Sequence, residues 1–188
     1  MSKHTIIIFT IVGILSFIFR LLSLLYSYYF ASYTFAIITD VIGQLLFLSL
    51  FFFIAKDLKQ NYSKGVRFIY LFVFSSLVIT FFNITNILSR NMMLFIQLLV
   101  LAMIAVFIVY LLKTVYRLFA VAYIVTLVMI FAFQFVVREL VPNISYNYLL
   151  LLNTLPILYP LVLIYIVHTK NNVSLEEEIN SIGSDVEA

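Results

Sequence analysis

The chain has 188 residues, 65% of them hydrophobic and 10% charged, with a net charge of +3 and a mean hydropathy of +1.18. Soluble domains sit near half apolar and a quarter charged, and a globule of this size cannot hide so much apolar surface from water, so composition points to lipid as the solvent. The absence of Cys removes disulfides, thiolate nucleophiles and thiolate-bound metals.

A helix crosses the hydrocarbon core in about 20 residues. The sequence predicts six such helices, at 5–28, 36–55, 67–88, 92–112, 116–137 and 148–168. The fold class expected is all-α: a polytopic transmembrane bundle of six helices. The first run has a minimal basic start at Lys3, but its apolar stretch continues past Arg20 to Phe30 with no small-residue cleavage site, which reads as an uncleaved span. The fourth and fifth runs are barely separated. Met92 to Val137 as one helix would be about 69 Å long, about twice the hydrocarbon thickness. The chain must therefore turn near Lys113–Arg117, although neither Gly nor Pro marks the place. After His168 comes an acidic tail, 169–188, expected to be solvated and flexible. Ser174 and Glu177 would fit a capping box there, with Leu175, Ile179 and Ile182 at helical spacing, so a short docking helix is the other reading.

Orientation follows the basic residues in short loops. With the N-terminus inside, Lys3, Lys56, Lys59, Lys64, Arg67, Lys113, Arg117 and Lys170 face the cytoplasm, and only Arg90 and Arg138 face outward. Both termini are then cytoplasmic, and the chain is expected in a cell or inner membrane. The lipid bilayer is the expected partner, together with other membrane proteins. Scattered basic residues flanking apolar runs do not make a nucleic-acid surface.

Ionisable and amide groups are costly within spans. Here they are Arg20, Asp40, Gln44, Asn83, Asn86, Gln97, Gln134 and Asn153. Helical rise puts Arg20 and Gln44 about 12 Å below the outer ends of their helices, Asp40 about 6 Å, Asn83, Gln97 and Asn153 about 7 Å, and Asn86 and Gln134 about 3–5 Å. Odd spans run outward and even ones inward, yet all these groups fall in one outer layer above an apolar inner half. Three readings follow: hydrogen bonds that fix helix packing, span ends placed too far outward so that some of these groups are interfacial, or a polar cavity open to the outside. The charges of Arg20 and Asp40 weigh toward the cavity. Arg20, Asp40, Gln44, Asn83, Gln97, Gln134 and Asn153 are the candidate ligand-binding residues.

Gly13, Ser16, Arg20, Ser23 and Ser27 recur at steps of three and four, a stripe of small residues suited to close helix approach, so Arg20 is expected to point into the bundle. Asp40, Gly43 and Gln44 share a face of the second helix, and an Arg20–Asp40 ion pair is expected between the two. In the last span, Pro160 and Pro156 leave the carbonyls of Pro156 and Leu152 in need of partners.

No catalytic set can be assembled. His4 and His168 lie at the inner edge, no second buried carboxylate accompanies Asp40, and neither a metal-binding His pattern nor a phosphate-binding Gly-rich loop occurs. No catalytic residue, metal or cofactor is implied. The expected function is non-enzymatic: an accessory or sensor protein whose outer pocket binds a small ligand, a lipid headgroup or a partner helix. A small transporter is the alternative, and an enzyme acting on a membrane lipid the second.

Overall fold

The computed structural model describes residues 1–29, 33–59, 65–85, 90–140 and 154–186. Among them the protein is all-helical: α1 Lys3–Tyr29, α2 Tyr33–Leu58, α3 Val66–Thr85, α4 Arg90–Leu112, α5 Arg117–Leu140 and α6 Tyr159–Val186, the last preceded by a 3-10 turn at Leu155–Leu158. Two segments, Lys3–Ser27 of α1 and Thr34–Leu58 of α2, are long and apolar enough to cross a membrane, which is a weak indication of membrane association. Shorter apolar stretches occupy Val66–Phe82, Leu99–Leu112 and Arg117–Ile130.

Each α-helix packs against its neighbours in the chain, and α6 returns to α1, so the six form a closed ring. The α1–α2 pair is the most intimate, because small residues line it. Ser16 donates to the Gly43 carbonyl at 2.8 Å and Ser23 to the Ala36 carbonyl at 2.8 Å. The stripe of small residues on α1 therefore faces its neighbours, as its spacing implies. At the start of α1, Ser2 accepts the Thr5 backbone N–H at 3.2 Å and caps the helix.

The chain does turn between Leu112 and Arg117, and Thr114 is the reason it can do so without Gly or Pro. The Thr114 hydroxyl donates to the Leu111 carbonyl at 2.8 Å and accepts the Tyr116 N–H at 3.1 Å. A Thr side chain that bonds its own backbone offers the chain an alternative to continuing the helix. The buried Thr114 hydroxyl thus reinforces the turn, adding to the bond that the Thr114 backbone N–H makes to the same Leu111 carbonyl at 3.0 Å.

The packed core occupies the half of the ring nearest Lys113 and Lys170. Phe51 is fully buried at its centre, with the rings of Phe72, Phe47, Phe107 and Phe119 at 5.0, 5.2, 5.6 and 5.8 Å. Phe72 and Phe107 stack at 4.2 Å. Large apolar side chains are also exposed in rows, Ile7, Ile11, Ile14 and Ile18 on α1 and Leu118, Val121, Val125 and Val128 on α5.

The expected last span, 148–168, is only partly described; from Thr154 the chain forms the 3-10 turn and then α6. The helix continues to Val186, so the segment expected as a flexible tail prolongs α6, and no new helix begins at Ser174.

Candidate functional site

The sequence places Arg20 on the small-residue face of α1, and the structure turns its side chain into the ring. One terminal nitrogen donates to the Pro156 carbonyl at 3.1 Å, and the other to Gln44 Oε1 at 2.7 Å. The guanidinium also lies over the Phe47 ring, 5.3 Å from its centroid, close enough for cation–π attraction. The Pro156 carbonyl is the one that Pro160 deprives of a helical partner. The 3-10 turn gives it the Tyr159 N–H, and Arg20 adds a charge-assisted bond.

The backbone of α2 comes close because residue 43 is Gly. A methyl group there would meet Arg20 Cγ at 2.6 Å and the Ser16 carbonyl oxygen at 3.3 Å. Gly43 thus admits both the Arg20 stem and the Ser16 hydrogen bond.

The ion pair expected between Arg20 and Asp40 is not formed. Among the described residues the ion pairs belong to Asp57, and Arg20 reaches instead one turn further along α2 to Gln44. The reason is rotation about the α2 axis: Thr39 and Gly43 are buried, whereas Asp40 stands at the exposed edge of that face. Asp40 remains nearby, because a cavity of about 200 Å³ is lined by Arg20, Ser23, Ser27, Asp40, Pro156 and Ile157. At about 30 Å³ per water in the liquid, that space would hold roughly six waters or one small polar group. A guanidinium has five N–H donors, of which two are engaged within the protein among the described residues.

Of the other candidates, the backbones of Asn83, Gln97 and Gln134 lie in α3, α4 and α5, but their side chains are outside the described residues, as are Asn86 and Asn153 entirely. The site described is therefore Arg20, Asp40 and Gln44 with the Pro156 carbonyl. No group of three or more His, Asp or Glu that could hold a metal occurs among the described residues.

Sequence reasoning missed a second polar cluster at the opposite end of the ring. The Asp57 side chain is 6% exposed and accepts bonds from Lys170 at 2.7 Å and the buried Tyr116 hydroxyl at 2.9 Å, with the Met1 amine 3.7 Å away. Asp57 stands between Lys56 and Lys59, so it reads as one charge in a loop. Its position at the very end of an apolar run, with Leu58 after it, was the available signal. Nearby, Thr10 and His168 are hydrogen-bonded at 3.0 Å and join α1 to α6.

No family model, curated protein or solved structure matches the chain.

Proposed function

We propose that this chain is a six-span membrane protein with both termini in the cytoplasm, and that its outer half binds a small zwitterionic ligand between Arg20 and Asp40. The observation that carries the reading is the cavity lined by both side chains, with the guanidinium held in place from behind by Gln44 and the Pro156 carbonyl. A planar guanidinium suits a phosphate or carboxylate. A carboxylate at the mouth of the same cavity suits an ammonium group. Phosphate and ammonium on one short scaffold are the chemistry of an amine-bearing phospholipid headgroup, or of the free headgroup compound. Asn83, Gln97, Gln134 and Asn153 are the proposed remainder of the same polar layer. The membrane part of the reading is supported by the exposed apolar rows on α1 and α5 and by the two candidate spans.

The ligand test uses the purified full-length protein in an uncharged detergent, melted with phosphatidylethanolamine, phosphatidylcholine or free phosphoethanolamine. A ligand at a hundred times its Kd stabilises the folded state by about 2.7 kcal/mol. Phosphatidylethanolamine is expected to raise the melting temperature. Arg20→Met and Asp40→Asn are each expected to abolish that rise, and the second to leave the ligand-free melting temperature within experimental error because Asp40 is exposed. An equal response in the two variants and the parent protein would rule the pocket out. A response to phosphoethanolamine as large as to the lipid assigns the site to a free solute.

Topology has its own expected result. Reporters fused after Lys59 and after Lys170 are expected to read as cytoplasmic and one at Asn143 as external. An external reading after Lys170 would mean that one of the six crossings is absent.

A further inference from the structure

At the end of the ring opposite the Arg20 pocket lies a larger groove of about 600 Å³, between the α4–α5 turn and α6. Its charges come from distant parts of the chain: Lys113 and Arg117 from the turn and Lys170 from α6. No acidic side chain lines it among the described residues. Lys170 is fixed by its 2.7 Å contact with Asp57, so part of its charge is spent. Lys113 and Arg117 make no ion pair among the described residues and are exposed. The groove is therefore cationic and has two charges to offer.

Apart from Thr114 and Thr169, its other walls are apolar or aromatic. Val115 is 45%, Leu118 48% and Tyr165 62% exposed. From Leu118 an exposed row continues along α5 through Val121, Val125 and Val128, at steps of three and four that keep it on one side of the helix. A basic recess thus opens onto an apolar track running along the ring. A soluble anion would use only the first of these features. A lipid uses both, with its phosphate in the recess and an acyl chain on the track.

We infer that this groove is a binding site for an anionic phospholipid of the cytoplasmic leaflet, its phosphate held by Lys113 and Arg117 and one acyl chain lying along Leu118, Val121 and Val125. Basic pockets between membrane helices on the cytoplasmic side are suited to such headgroups. The inference rests on the membrane reading above and is independent of the Arg20 pocket.

The test is thermal unfolding of the full-length protein in neutral detergent micelles carrying graded phosphatidylglycerol, phosphatidylcholine or inorganic phosphate. Phosphatidylglycerol is expected to stabilise the protein at a concentration at least tenfold below that needed for phosphatidylcholine, and added salt is expected to weaken the effect. The Lys113→Gln/Arg117→Gln double variant is expected to lose that tenfold preference, whereas Arg20→Met retains it. Retention by Arg20→Met separates this site from the first, and the reporter fusions test the membrane reading separately. Equal responses to the two lipids would overturn the inference, as would an unchanged preference in the double variant. Inorganic phosphate matching phosphatidylglycerol overturns the lipid assignment. If the double variant does not fold, the parent protein decides: a salt-insensitive lipid preference overturns the charge recognition, and a salt-sensitive one upholds it.

Discussion

Asp57→Ala is expected to lower the unfolding free energy by roughly 3 kcal/mol, the low end of the cost of breaking a buried ion pair. The low end applies because Lys170, at 39% exposure, can turn partly to water. The Tyr116 hydroxyl cannot, since Tyr116 is fully buried and Asp57 is its acceptor. A buried donor left without a partner costs about 1–3 kcal/mol. Asp57→Asn keeps an oxygen for Tyr116 and loses only the charge, so it is expected to fall between the alanine variant and the parent. The measurement is unfolding in mixed micelles titrated with a denaturing detergent. An alanine variant as stable as the parent would show that the cluster does not hold this end of the ring together.

The second large effect belongs to Phe51. Truncation to alanine leaves a void among four aromatic rings, and buried Phe→Ala changes cost about 3–5 kcal/mol. Phe51→Leu refills most of the space and is expected to cost about 1.5 kcal/mol or less. Phe52, the next residue, is 53% exposed, so Phe52→Ala serves as the control and is expected to stay within about 0.5 kcal/mol of the parent. The same unfolding titration reads all three. A loss at Phe52 equal to that at Phe51 would mean that the ring is buried by something other than its own helices.

The boundaries of α1 to α5 were legible because the apolar runs stop where charged or turn-forming residues begin. The turn after α4 was legible from length alone, but its cause was not, because a single Thr in an apolar stretch carries no periodic signal. The inward aim of Arg20 followed from the spacing of Gly13, Ser16 and Ser23. Its partner did not: Asp40 and Gln44 lie one turn apart on the same helix, and only the azimuth of α2, set by Thr39 and Gly43 packing against α1, decides between them. That Pro160 deprives the Pro156 carbonyl of its helical partner was also foreseeable. Its link to Arg20 spans 136 residues, and no local pattern encodes a contact of that range. Asp57 was hidden by its flanking lysines, whereas its true partner is 113 residues away.

That spread of sequence distance has a consequence for biosynthesis. Gln44 lies 24 residues beyond Arg20 and Pro156 lies 136 residues beyond it. At roughly 5–20 residues per second of synthesis, the nascent chain carries the guanidinium for about 6–20 seconds with only its first acceptor made. The α1–α2 hairpin must therefore shelter Arg20 by itself while the ribosome is still at work, using Ser16, Gly43 and Gln44. The carbonyl of Pro156 then arrives as the final helix docks, so the same contact that anchors Arg20 also marks the ring as complete.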